Sequence, residues 1–389
     1  MNDDQNIPMQ RRNFLKLCAG TGLTAAGLSS QDYALAQIPS TTKPVKHMMI
    51  IDALGDIANE NLSEAEQTGP NQGIDARALA DAKASGLCAF NHTLGYVFGD
   101  QEPFEFSMSE IGIWDALIRR HADTLTKVYT ASDILAAQVA GKIGVIYGFQ
   151  NAAMMGHDAK RVEIFANLGV KVIQLTYNTR NQLGDGSMVA ENHGLTEFGR
   201  EVVHELNRNR VMVDLSHSGE RTCLEASAAS TQPIIISHTG CRAVTDLPRN
   251  KTDRELKLVA DKGGFVGIYF MPFLAIGRQP MAADLIAHIE HAIQVCGEDH
   301  VGIGTDGSVP KIDDMPTYMN NLRIEVEQRK ATGIGAAGER GDIVKFLPDL
   351  VGADKFYKLA DLLAQRGHSS SRIEKILGLN FLRTAEKLW

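Results

Sequence analysis

The sequence predicts a single (β/α)8 barrel of the TIM type, and three observations carry that expectation. Short apolar, β-branched runs ending in a polar residue recur eight times from Met48 onward, each followed by a longer segment with helical spacing. Most of the runs are apolar throughout, as strands of a parallel sheet must be when helices cover both faces. No G-x-G-x-x-G follows a strand and no G-x-x-x-x-G-K occurs, so the rival, an open doubly wound sheet, lacks its phosphate-binding signatures. Eight strand-then-helix units most simply close on themselves.

In chain order the expected strands are 48–52, 87–92, 143–150, 170–177, 211–217, 233–238, 265–270 and 301–306. The helices between them are expected at 110–125, 133–140, 160–168, 196–209, 220–229, 253–262 and 282–296, with Thr196 as a cap and Asp284 in a first turn. Residues 310–341 are polar and rich in Gly; they read as a long loop with one helix at 321–330. Two closing helices, 354–365 and 371–377, complete the chain. Neither an internal repeat nor a Pro/Ser linker marks a second domain, so residues 37–389 form one barrel.

Composition narrows the function classes. Of 389 residues, 44% are hydrophobic and 22% charged, which excludes collagen-like and largely disordered chains. The net charge of −8 argues against nucleic acid or an anionic membrane as partner, since both demand clustered Lys and Arg. A small molecule is the expected ligand.

The N-terminus has the parts of an export signal. Arg11-Arg12-Asn13-Phe14-Leu15-Lys16 precedes a mildly apolar stretch from Leu17 to Leu28, and Ala34-Leu35-Ala36 offers a small-x-small cleavage site. Paired arginines before Phe-Leu-Lys resemble the twin-arginine type, so the expectation is passage through the twin-arginine export machinery, cleavage after Ala36 and a periplasmic or otherwise exported protein. The stretch is too short and too rich in Gly and Ala to span a membrane. The mature chain would keep Cys88, Cys223, Cys241 and Cys296, with no C-x-x-C pair. Buried small hydrophobes is their default reading, with a Cys223–Cys241 bridge left open.

Barrel enzymes carry their chemistry at the C-terminal ends of the strands, where side chains converge on one mouth. The polar residues here fall at those ends. Asp52 and Asp56 follow the first run, Asn91 and His92 the second, Gln150 and Asn151 the third, Tyr177 and Asn178 the fourth. The fifth ends Asp214-Leu215-Ser216-His217, the sixth Ser237-His238, and the eighth Thr305-Asp306. Two His on successive strands and an Asp on the eighth can hold a divalent metal and a proton-handling carboxylate over one spot. Asp214, out of phase with His217, reads as a support for these residues.

These phrases in this order resemble the membrane dipeptidase (renal dipeptidase) family of zinc peptidases: Val213-Asp214-Leu215-Ser216-His217, Ser237-His238 followed by Arg249-Asn250, His300 to Asp306, and Ile376-Leu377-Gly378-Leu379-Asn380-Phe381. The resemblance spans nearly all of residues 37–389. It implies a (β/α)8 barrel, a binuclear zinc site and hydrolysis of dipeptides or related amides. It also implies roles: His217 and His238 as metal ligands, Asp306 as the catalytic acid that handles protons at the scissile bond, Arg249 as the grip on the substrate carboxylate, and Tyr177 where the family has a substrate-contacting His. Two positions depart from the pattern. Leu54 stands where the first metal's His is expected, although Asp56 keeps its partner carboxylate, and Gln150 replaces the bridging Glu. A neutral amide offers one carbonyl oxygen and cannot bridge two cations as a carboxylate does. One well-held zinc is therefore expected, on His217 and His238 with help from Gln150, Asp56 or water.

Three readings follow. The first is an exported metallodipeptidase acting on dipeptides or small amides with a free carboxylate. The second is a single-metal amidohydrolase-like enzyme acting on other amides or lactones. The third is a binding protein on a decayed catalytic barrel. The homodimer remains open as a further assembly.

Overall fold

The computed structural model describes residues 48–389, so the export signal and its cleavage site lie outside the described residues. Among the described residues there are nine strands: β1 Ile50–Asp52, β2 Leu87–Leu94, β3 Leu125–Lys127, β4 Ile143–Phe149, β5 Val170–Gln174, β6 Met212–Asp214, β7 Ile235–Thr239, β8 Phe265–Ile268 and β9 Val301–Ile303. Eight of them run in parallel in the order β1-β2-β4-β5-β6-β7-β8-β9, while β3 pairs with β4 at the side. These eight are the eight expected runs, mostly trimmed by a few residues at their ends. The barrel closes just beyond the strand ends, where Ala53 N donates to Ile303 O at 3.1 Å and Asp306 N to Leu54 O at 2.8 Å. A parallel bridge between Asp56 and Ser308 extends the same seam.

Apolar runs become strands here because both of their faces are covered. All seven residues of β4 are buried, as are β1, β6, β7, β8 and β9 throughout. The interior is tight enough to exclude side chains at chosen points. A Cβ at Gly304 would stand 1.9 Å from Ser237 O, and one at Gly148 would stand 2.1 Å from Asn91 Oδ1. Only glycine lets β7 and β9 approach at the first place and leaves room for Asn91 at the second.

Most helices lie where the spacing put them: Arg161–Asn167, Glu197–Arg208 behind the Thr196 cap, Glu220–Ala229, Asp253–Asp261 and Ala282–Cys296. Three departures have local causes. The helix expected at 110–125 is Pro103–Arg120, with Pro103 in its first turn and the Glu102 carboxylate accepting from Glu105 N. The helix expected at 321–330 is Met315–Ala331, opened by Asp314 and Pro316. The last expected helix divides into Ser370–Glu374, a widened turn at Lys375–Leu379 and the helix Asn380–Leu388. In that widened turn Gly378 passes against Met49 O, where a Cβ would stand at 2.3 Å, and Asn380 Nδ2 donates to Glu298 O and Val301 O at 2.8 Å each. The C-terminus thereby closes the bottom of the barrel and leaves the opposite end as its mouth. Cys88, Cys223, Cys241 and Cys296 are all buried free thiols, so the Cys223–Cys241 bridge is not formed.

Candidate active site

Four strand ends build the centre of the mouth. Asp214 closes β6 and is buried; its carboxylate accepts from Ser216 N and Oγ at 3.0 and 2.6 Å and from Ser237 N and Oγ at 3.1 and 2.5 Å. Burial raises this carboxyl above its ordinary value, against the pull of those four hydrogen bonds. Because the Ser237 hydroxyl donates to Asp214, its oxygen accepts from His238 Nδ1, 2.8 Å away. His217 Nδ1 donates to the Asn178 carbonyl oxygen at 2.7 Å, and Asn178 Nδ2 is tied to Ile334 O at 2.9 Å. Both imidazoles therefore carry their proton on Nδ1 and present Nε2 to one spot, with the two Nε2 atoms 3.0 Å apart. Tyr177 stacks on His217, ring centroids 4.2 Å apart at 26°.

Arg249 is 1% exposed. It braces the same strand ends by donating from Nη1 to Ser216 O at 2.6 Å and from Nη2 to His238 O at 3.3 Å. It lines a small cavity of about 90 Å3 together with Tyr177, Asn178, His217, Asp306 and Arg329. Arg329 arrives from the helix Met315–Ala331, held by Glu339 through Nε at 3.0 Å and Nη2 at 2.8 Å. Asp306 adopts φ +54°, a left-handed conformation uncommon outside Gly, Asn and Asp. That turn carries it into the wall of both this cavity and a much larger one of about 960 Å3.

The large cavity runs from Asp306 past Leu54, Asp56, His92 and Gln150 to the helix Met315–Ala331. Asp56 Oδ1 accepts from Ile57 N and Ala58 N at 2.7 and 3.1 Å and stands 3.7 Å from His92 Nδ1. His92 packs on Trp114, centroids 3.9 Å apart. Gln150 Nε2 donates to Thr93 Oγ1 at 2.7 Å, which leaves Oε1 buried and without a hydrogen-bond partner. Beneath the wall, Asp52 accepts from Thr305 N at 2.8 Å and from Thr305 Oγ1 at 2.5 Å. Burial raises the Asp52 carboxyl to about 6 and lowers the neighbouring Lys355 ammonium to about 8.

The structure thus pairs His217 with His238 and brings Asp306, Arg249 and Tyr177 around them. It places Gln150 and Asp56 on the large cavity, and among the described residues no three His, Cys, Asp or Glu side chains converge as a ready metal cage. Strand-end reasoning did not single out Asn178 or Ser237, whose roles depend on which ring nitrogen each engages. Nor did it find Arg329, which comes from a helix whose polar sequence carries no periodic apolar signal. His92, at the end of the second run, stands beside Asp56.

Residues 43–333 match the family described as membrane dipeptidase, peptidase family M19. The chain belongs to the membrane dipeptidase family. A solved amidohydrolase from Pseudomonas aeruginosa is 31% identical with a TM-score of 0.71, and the match covers 88% of this chain and 97% of that one. A metallo peptidase from Rhodobacter sphaeroides, solved with a phosphinate mimic of L-Ala-D-Ala, shares the fold at 20% identity and a TM-score of 0.69, covering 88% and 99% of the two chains. The dipeptidase tcpJ of Claviceps purpurea is 27% identical over 288 residues, 72% of this chain and 60% of its own length. For the dipeptidase verJ of Clonostachys rogersoniana the figures are 29% over 289 residues, 74% and 66%. The chain therefore spans about two thirds or less of the length of these two relatives. The (β/α)8 barrel is the fold of this family as the solved members have it.

Proposed function

We propose that the protein is a metal-dependent dipeptidase, exported by a twin-arginine signal, that cleaves dipeptides or small amides bearing a free carboxylate. The observation that carries this reading is the pair of Nε2 atoms 3.0 Å apart with both Nδ1 atoms already engaged. Zn–N bonds are about 2.0–2.1 Å, so two imidazole nitrogens at this separation reach a common ion, and the supported tautomers are those that ligating His adopt. The donor set fits one zinc on His217 and His238, with Asp56, Gln150 or water completing it. Leu54, 3% exposed and apolar, supplies nothing to a second ion. A bound zinc would polarise the scissile carbonyl and lower the pKa of its water.

The chain's own groups divide the remaining work. Asp306, in the wall between the two cavities, takes the proton from the attacking water and returns it to the leaving amine. Arg249, in the wall of the small cavity, receives the substrate carboxylate, with Arg329 beside it in its pair with Glu339. The Tyr177 hydroxyl donates to the bound amide, its ring held by the stack on His217.

The test is zinc content by elemental analysis of the protein beginning after Ala36, together with turnover of a dipeptide panel. One ion per chain and dipeptide cleavage support the reading; a protein that retains no zinc after loading sinks it. Leu54 and Gln150 favour the single-metal alternative, for which lactones or acyl-amino acids would outpace every dipeptide. Tight ligand binding with turnover unaffected by Asp306→Asn would instead favour a binding protein.

A further inference from the structure

The two cavities that meet at Asp306 differ in charge: the small one is balanced and the large one is acidic. The small one sets Arg249, Arg329 and Lys345 against Asp306, Glu325 and Glu339. The large one is lined by eight carboxylates against three lysines, and Asp56, Glu110, Asp306 and Glu325 lie partly buried in its walls. One lysine, Lys345, is already paired with Glu325. Separately from this charge, Gln150, 1% exposed, lines the same cavity, and its buried Oε1 has no hydrogen-bond partner. A buried acceptor left without a donor carries its full desolvation cost, so the wall is completed when a ligand supplies an N–H.

We propose that the large cavity takes the amino-side residue of the substrate and selects one with a cationic side chain, a lysyl-, ornithyl- or arginyl-type group, held among the wall carboxylates and by Gln150 Oε1. This rests on the dipeptidase reading, with Asp56 or water completing the ion's shell. Orientation follows from placement: the substrate carboxylate lies toward the Arg249 guanidinium, Arg329 being paired with Glu339, the scissile bond lies at the His217–His238 pair beside Asp306, and the amino side enters the acidic cavity. An α-ammonium group alone would answer one of the wall charges. The volume of about 960 Å3 and the remaining carboxylates suit a long, second cation.

The experiment compares kcat/KM of the zinc-loaded enzyme for Lys-Ala, Ala-Ala and Glu-Ala at low and high salt, and measures binding of 1,5-diaminopentane and of glutarate by calorimetry. Lys-Ala is expected to exceed Ala-Ala about tenfold and Glu-Ala to fall about tenfold below it, with both contrasts shrinking as salt screens the walls. Diaminopentane binds and glutarate does not. Glu110→Gln lowers the Lys-Ala preference about threefold, and Gln150→Leu weakens diaminopentane about tenfold. Circular dichroism confirms that each variant is folded, and either one suffices for the test. Turnover of all three dipeptides without charge preference, or glutarate binding as well as the diamine, overturns the cation subsite and leaves the dipeptidase reading standing. Diamine binding without cleavage of any dipeptide retires the dipeptidase reading and keeps the subsite.

Discussion

Removing the Asn178 carbonyl oxygen should weaken zinc without touching either imidazole. His217 Nδ1 donates to that oxygen at 2.7 Å, and the bond both fixes the ring's tautomer and stops it rotating over Tyr177. Partners of this kind are worth about 10- to 100-fold in metal affinity, or about 1.4–2.7 kcal/mol. Asn178→Ala also frees Ile334 O from its 2.9 Å bond, so the loss of one buried and one partly buried hydrogen bond should cost about 1–3 kcal/mol of stability. Asn178→Asp separates the two effects, because it keeps an oxygen opposite Nδ1–H and loses only the donor to Ile334. Chelator competition should therefore show zinc affinity lost in Asn178→Ala and retained in Asn178→Asp, while thermal melting shows both destabilised. Zinc bound as tightly by Asn178→Ala as by the parent would falsify the claim that Asn178 orients a ligand.

Three further outcomes are expected. Leu54→His combined with Gln150→Glu should restore the missing imidazole and bridging carboxylate and raise zinc from one to two ions per chain by elemental analysis; an unchanged count would place the obstacle elsewhere. Asp306→Asn should lower kcat about a hundred- to ten-thousandfold with the melting temperature nearly unchanged, since Asn tolerates the φ of +54°. Asp306→Ala should add about 1 kcal/mol of instability to the same loss, and a variant of either kind with parental kcat rules out the proton-handling role. Asp52 binds its proton more tightly folded than unfolded, because burial lifts its carboxyl from 3.8 to about 6. Its contribution to stability therefore declines by about 3 kcal/mol as pH rises from about 3 to about 7, and urea melts of Asp52→Asn should lack that decline relative to the parent. Parallel pH profiles for the two proteins would refute the assignment.

The barrel was legible because burial on both faces of a parallel strand leaves an uninterrupted apolar run, and eight such runs stand in the chain. The strand β3 escaped for the same reason: Leu125-Thr126-Lys127 has one fully buried residue and carries no such run. The helix Pro103–Arg120 was displaced by several residues because its start is marked by Glu102 and Pro103, a cap and a first-turn proline, and not by apolar spacing. In the site, His217, His238 and Asp306 could be read from position alone, since the ends of barrel strands converge whatever the loops do.

What position could not convey is direction. Asn178 and Ser237 occupy strand ends as visibly as the two His do, yet their importance lies in engaging Nδ1 and so turning both Nε2 atoms toward one point. The same holds for Gln150. As a letter it is a lost carboxylate, and the comparison with a bridging Glu makes it a deficit. In the fold its Nε2 is committed to Thr93, and its Oε1 is a buried oxygen without a hydrogen-bond partner on a residue that lines an acidic cavity. In the proposed metal centre, Gln150 lacks the charge of a Glu and keeps an acceptor for an N–H. Leu54 and Gln150 are then consistent with a site that gave up a second ion and can recognise an organic cation from the same wall, and the zinc count of the double variant, set beside its preference for Lys-Ala, decides whether the two properties exclude each other.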